Sequence, residues 1–298
     1  MSHLTIAQRP RGLRMPRLAE RVANPLRRSG TLTAGVTLLA VLLLLSVVVA
    51  LALPDPKTQH LIDAYAAPGT SGHPLGADGL GRDVLAWIGT GIRTSLLVGL
   101  AVAAIAATVG TVIGLVAGYW GGALDALLMR AVDLQLAVPP LLLFIAASAV
   151  LAANVVTLVL LIAVVGWVPY ARLVRARVLS ERGRAFIAAA RLAGRSRAYI
   201  LFRHLLPAAS TSVVVIFSLQ VGYVILWESA LSFVGLGLQP PNISLGFMIA
   251  SGRDELATAW WIATMPGLAI VLLVLAMNLI GDGLRDVFKF DTDVDARG

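Results

Sequence analysis

Uncharged apolar runs divide this chain at intervals that suit a membrane. Residues 31–53 run for 23 positions without a charge, and about 20 apolar residues span a bilayer core as a helix. Residues 94–118 give a second uncharged run, of 25. Residues 134–171 give one of 38, about 57 Å as a single helix and nearly twice a ~30 Å hydrocarbon core. Two spans fit that run better, 134–153 and 155–171, joined by a turn at Asn154. Pro139, Pro140 and Pro169 would kink them, which neighbouring helices can accommodate. Residues 208–233 and 256–281 complete six spans. The fold class expected is all-α, a polytopic membrane protein with six transmembrane helices.

The intervals between spans differ in charge. Residues 54–93 carry Asp55, Asp63, Asp78 and Asp83 among turn signals, with a short helix expected at 84–89. Residues 172–203 hold nine arginines and a single acid, Glu181. Six spans put both termini on one side. The connections on that side, 1–30, 119–133, 172–203 and 282–298, hold 20 of the 24 Lys and Arg residues. Residues 54–93 and 235–255 hold only Lys57, Arg82, Arg93 and Arg253. Cytoplasmic loops carry the basic excess, so both termini are expected in the cytoplasm. The division is a basic segment 1–30, a first span 31–53, an outer connection 54–93, a core 94–283 with five spans and a basic loop 172–207, and a tail 284–298.

Composition agrees. Hydrophobic residues make up 58% of the 298 and charged residues 13%, about half the share usual in a soluble domain. The net charge of +8 follows from the side bias and needs no nucleic acid. There is no cysteine, which excludes disulfides, thiolate metal sites and Cys nucleophiles. His3, His60, His73 and His204 are scattered without metal-ligand spacing. A phosphate loop of the GxxxxGK[ST] type is missing, so no nucleotide site is expected in this chain. The apolar run 31–53 is longer than the core of a signal peptide.

Four local features carry candidate function. Ala106, Gly110, Gly114 and Gly118 recur every four residues, a smooth stripe that lets another helix approach. Tyr119 and Trp120 follow it as interfacial aromatics do. Residues 186–207 read FIAAARLAGRSRAYILFRHLLP: a small-residue helix, a Gly turn at Gly194, then a basic helix leading to Pro207. Ala188, Ala189 and Ala190 leave a surface that can seat in another protein's groove, with Phe186, Arg191, Arg195 and Arg203 around it. Equally, an Arg-rich amphipathic helix can lie on anionic lipid. Glu228 is an acid inside a span, which is costly and marks a role. It either lines a pathway or pairs with a partner chain near the outer gate. Asp78, Arg82 and Asp83 can cap a local helix or meet a soluble partner.

The segment 186–207 resembles the coupling loop of ABC importer permeases, whose pattern is Glu-Ala-Ala, three residues, Gly, nine residues, an aliphatic residue, one residue, Leu-Pro. Ala189, Ala190, Gly194, Leu206 and Pro207 match it, His204 occupies the aliphatic position, and Ala188 stands where the family has Glu. HPLGADGLGRD at 73–83, GYWGG at 118–122, RAVD at 130–133, ESALSFVGLGLQPP at 228–241 and NLIGDGLRD at 278–286 are similar to further stretches of the dipeptide/oligopeptide/nickel branch. The resemblance implies a type I importer permease fold and a "C"-type subunit importing peptides by alternating access. Nickel chelates, haem and oligosaccharides are alternative cargoes. It further implies a homologous "B"-type permease, two ATP-binding domains carrying ATP and Mg, and an extracytoplasmic binding protein. A stand-alone secondary transporter would need ion-coupling acids in repeated halves, and Glu228 is the single credible intramembrane acid.

Overall fold

The computed structural model describes residues 29–53, 55–148, 150–151 and 154–295. The basic segment expected at 1–30 lies almost wholly outside the described residues, as do the last three positions of the tail.

The chain forms helices because lipid offers the backbone no hydrogen-bond partners, and a helix satisfies them within itself. Helix α1, Gly30–Ala52, starts where the Ser29 hydroxyl accepts from the Leu32 N–H at 3.3 Å. Helix α2, Val84–Trp120, runs 37 residues. Helix α3, Gly122–Ala137, and α4, Pro140–Ser148, follow, then α5, Val155–Gly166, and α6, Val168–Glu181. Two short helices, α7 Ala185–Leu192 and α8 Arg197–Ile200, lead through a π turn at Leu201–Leu205 into α9, Leu206–Phe233. Helix α10, Leu245–Gly252, precedes α11, Trp261–Asp295. Five segments are long and apolar enough to cross a membrane, and six when the bent pair α3 and α4 counts as one. The described residues contain no strand, only two isolated bridges in the outer connection.

Helix α2 is the centre. It packs on α6, α9, α1 and α5, while α11 joins α1 to α9. Among lipid tails, helices associate through close packing, and small residues set the approach. A Cβ on Gly35 would lie 2.7 Å from the Ile280 nitrogen, and one on Gly283 would lie 2.4 Å from the Leu32 nitrogen. These two glycines bring α1 and α11 into backbone contact. The main buried cluster, with Trp87, Ile92, Ile225, Leu245, Trp261 and Leu273, joins α1, α2, α9, α10 and α11.

The structure corrects four expected boundaries. The short helix at 84–89 is the first turns of α2; Gly89 and Gly91 do not break it, because Val49 and Leu245 pack onto them. The span at 134–153 is not one straight helix: α3 and α4 meet at 82°. Proline disfavours helical geometry at the preceding residue, and Val138 is extended there at φ −98, ψ 123. The fourth span runs on through α6 to Glu181, with Pro169 in the first turn of α6, where its missing N–H costs nothing. The last helix starts at Trp261, five residues later than expected. Before it, Thr258 Oγ1 donates to the Glu255 carbonyl and carboxylate, a local bonding pattern that competes with a helix. At Asn154, where the turn is expected, the side-chain Oδ1 accepts from the Thr157 N–H at 2.8 Å and caps α5; residues 152 and 153 before it lie outside the described residues.

Candidate functional site

The segment 186–207 projects from the C-terminal ends of α2 and α6 and the N-terminal end of α9 as a two-helix protrusion. Ile187 and Ile200 are its anchors, fully buried with Leu115, Val174, Val178 and Leu205. Between them the chain reverses through a Schellman turn: the Arg195 N–H donates to the Ala190 carbonyl at 3.1 Å and the Gly194 N–H to Arg191 at 3.0 Å. Gly194 has φ +70, a conformation glycine adopts without strain at a helix end. The turn's outer side is bare: Ala188, Ala189 and every residue from Arg191 to Tyr199 are exposed, and Phe186 is 45% exposed. Phe186 and Tyr199 flank the His204 ring at 5.7 and 5.6 Å. With Ala188 in the family's Glu position, α7 has no acid in its first turn. Among the described residues, no carboxylate pairs with Arg191, Arg195 or Arg203.

The stripe on α2 connects this protrusion to the bundle. A Cβ on Gly110 would lie 2.4 Å from the Trp167 carbonyl, on Gly114 2.6 Å from that of Ala171, and on Gly118 2.7 Å from Val178 Cβ. Ala106 is fully buried, and a Cβ on Gly166 would lie 3.2 Å from its methyl group. The four positions therefore seat α2 against α5 and α6 in backbone contact. Polar ties missed by sequence reasoning reinforce the seat. Arg175 Nη2 donates to Asp125 Oδ2 at 2.7 Å, joining α6 to α3, and Arg182 Nη1 donates to the Gly118 carbonyl at 2.9 Å. Arg177 Nε reaches the Ala208 carbonyl at 3.3 Å, joining α6 to α9. Nothing in a linear pattern pairs Asp125 with Arg175, fifty residues on.

Glu228 lies on α9 and is fully enclosed. Its Oε1 accepts from Ser232 Oγ at 2.8 Å and from Ser244 Oγ at 2.7 Å, and Ser244 also caps α10 through the Phe247 N–H at 3.1 Å. Nearby, Ser95 Oγ on α2 accepts from the Leu245 N–H at 3.2 Å. The carboxylate thus braces α10 against α9 beside α2. This corrects the expected pairing with a partner chain, since no surface of Glu228 is open to one. Ser95 and Ser244 were not foreseen, because single serines in or beside apolar runs carry no distinguishing spacing.

The connection between α1 and α2, expected on the outer side, is a built structure. Asp78 Oδ1 accepts from the Leu80 and Arg82 N–H groups at 2.9 and 2.8 Å, and its Oδ2 accepts from Arg82 Nε at 2.6 Å. The Arg82 guanidinium lies 3.7 Å from the Trp87 ring centre. Asp83 caps α2 at the Ala86 N–H, 2.8 Å, and its other oxygen meets His73 Nδ1 at 3.0 Å. Trp261 Nε1 donates to the Ala77 carbonyl at 3.1 Å. Tyr65 donates to Glu255 at 3.1 Å, and that carboxylate raises the phenol pKa above its ordinary value. Asp78, Arg82 and Asp83 come together here, far along α2 from the protrusion, and Glu228 joins neither group. No cluster of three or more potential metal ligands occurs among the described residues.

Comparison with known proteins places these features. Residues 110–293 match the family model described as binding-protein-dependent transport system inner membrane component. The chain is 42% identical over 212 residues to the di/tripeptide transport system permease protein DppC of Pseudomonas aeruginosa, covering 71% of this chain and 70% of that protein. It is 39% identical over 279 residues to the oligopeptide transport system permease protein OppC of Mycobacterium tuberculosis, covering 91% and 95%. It is also 40% identical to the glutathione transport system permease protein GsiD of Pectobacterium atrosepticum, covering 73% and 72%. Multiple apolar spans, an exposed protrusion and the extended match lead to one conclusion: the chain belongs to the family of inner-membrane permease components of binding-protein-dependent transport systems, and is a multi-pass membrane protein.

Proposed function

We propose that this chain is one of two permease subunits in an ATP-driven importer of dipeptides or oligopeptides, with both termini in the cytoplasm. The observation that carries the reading is the protrusion of α7 and α8. It is exposed along its outer side, cationic, and anchored by Ile187 and Ile200 in the core that α6 and α9 share. A partner ATPase that takes up Ala188–Ala190 and the Gly194 turn would pull on α6 and α9 together, because both helices carry the anchor. The ATP and Mg sit on that partner. A homologous permease completes the path, and an extracytoplasmic binding protein delivers the cargo. Peptide is favoured as the cargo because the similar permeases are named for di/tripeptide, oligopeptide and glutathione transport. Choice among peptides, and against nickel chelates, haem or oligosaccharides, lies mainly with the binding protein.

Glu228 is assigned to assembly of this chain's own outer half. A carboxylate whose Oε1 is held by two serine hydroxyls fixes α10, while an acid offered to cargo would need an open face. The coupling reading is tested with Arg191→Glu and Gly194→Trp in complexes reconstituted with the ATPase and binding protein. Peptide uptake should fall at least tenfold while ATP hydrolysis loses its response to loaded binding protein. Normal uptake in both variants would refute it. Co-purification of an ATPase with the wild-type permease, absent for a stand-alone transporter, is the simpler first test.

A further inference from the structure

We propose that the cleft between the inner end of α2 and the α7–α8 turn binds the phosphate headgroup of an anionic phospholipid. The cleft has a volume of about 430 Å³ and is lined by Tyr119, Trp120, Arg191, Arg195, Arg197 and Ile200. Three guanidinium groups therefore line one space with no carboxylate in its wall. Among the described residues none of the three forms an ion pair. Arg191 stands 5.6 Å from the Tyr119 ring centre and Arg195 5.0 Å from that of Tyr199. These ring contacts orient the two cations and leave their charge uncompensated. Arginine is the side chain best matched to phosphate oxygens, through paired N–H donors.

The surroundings favour a lipid over a free anion. Tyr119 and Trp120 end the apolar run of α2, at the depth where aromatic residues meet headgroups. Trp120 is 45% exposed, and the first turns of α3, immediately after it, expose Leu124 and Leu127 at 39% and 69%. An amphiphile can place phosphate among the arginines and hydrocarbon along those leucines; inorganic phosphate has no use for the second surface. This site is on the flank of the protrusion facing α2. The ATPase contact proposed above uses Ala188–Ala190 and the turn, which Arg191 and Arg195 border; Arg197 lies outside that contact, so its variants separate the two assignments.

The test uses the assembled, delipidated complex in detergent, titrated with phosphatidylglycerol, phosphatidylcholine or inorganic phosphate, with bound lipid counted by native mass spectrometry. Phosphatidylglycerol should bind at least tenfold more tightly than phosphatidylcholine, and inorganic phosphate at equal concentration should not displace it. Arg197→Gln should weaken phosphatidylglycerol about fivefold and Arg195→Gln with Arg197→Gln about 25-fold, from the usual worth of each cation near an anionic headgroup. Arg197→Lys should retain most of the preference, and Arg253→Gln in the connection 235–255 all of it. Should the double variant fail to assemble, rising salt on the wild type replaces it, and the preference should fade as screening increases. Equal binding of the two lipids, or an unchanged preference in the Gln variants or at high salt, overturns the proposal. Displacement by inorganic phosphate assigns a free-anion site and overturns it. A preference seen only in permease freed of its ATPase gives the arginines to that subunit and overturns it too.

Discussion

The two ends of α2 treat charge in opposite ways. At the outer end Asp78, Arg82, Asp83 and His73 bind one another, backbone N–H groups or the Trp87 ring. At the C-terminal end Arg191, Arg195, Arg197 and Arg203 stand exposed, and among the described residues no acid pairs with them. Both ends are rich in ionic residues, so composition does not separate them. What differs is bond closure. Charges closed on their own chain define a local shape, as a cap or a tight turn. Charges left open cost little in water and can act on something else. Helix α6 marks the border between the two regimes, for its Arg175 and the Arg182 that follows its last turn are already committed to Asp125 and to Gly118.

This contrast can be broken by substitution. The largest effect should come from the rod between the ends. Gly114→Leu forces a side chain into the Ala171 carbonyl at 2.6 Å, and overpacking in a tight core costs about 1–3 kcal/mol or more. The variant should fail to accumulate in the membrane, whereas Gly183→Ala, with open space around it, should accumulate normally on immunoblot. Next, Asp78→Ala should cost about 2–3 kcal/mol, since it leaves the mostly buried Arg82 and two N–H groups unpaired. Its melting temperature in detergent should fall by several degrees. Asp83→Ala removes a helix cap and should cost about 1 kcal/mol, seen as a smaller fall in the same melt. Smallest, Arg195→Gln should leave the melting temperature unchanged within error while peptide-stimulated ATP hydrolysis falls. A clear loss of stability in Arg195→Gln would show that the inner charges are closed after all.

Much of this was legible from the chain. Four of the five straight spans show in the sequence as uncharged runs, because lipid penalises charge so heavily; the other, which carries Glu228, shows as a run with one acid. Asn154 was readable as a turn because a polar residue within 38 uncharged positions has few other uses. The stripe was readable because its four-residue period is a helical one, though the sequence could not name α6 as the surface it meets. Less was legible where the backbone bends. Pro139 and Pro140 signalled a break, but its 82° size depends on what packs nearby. The Glu228 brace was misjudged for a similar reason. An acid in a span announces a polar partner, yet Ser244 is sixteen positions away and reaches it only when α10 folds back on α9. Short-range capping and long apolar runs are written locally; closure between distant polar atoms is a property of the assembled bundle.

Helix α2 carries one further consequence. At 37 residues without interruption it is a beam of about 55 Å, longer than the hydrocarbon layer it crosses. Its N-terminal tip is fastened through Asp83 to His73 and its C-terminal tip through Arg182. By leverage, a 5° tilt about one tip displaces the other by about 5 Å on a rod of this length. Glycines are spaced along the side facing α6, so the neighbour can bear on the beam directly. A small rotation imposed at one end of such a beam would reach the other end as a movement the size of a side chain, with no intermediate joint to carry it.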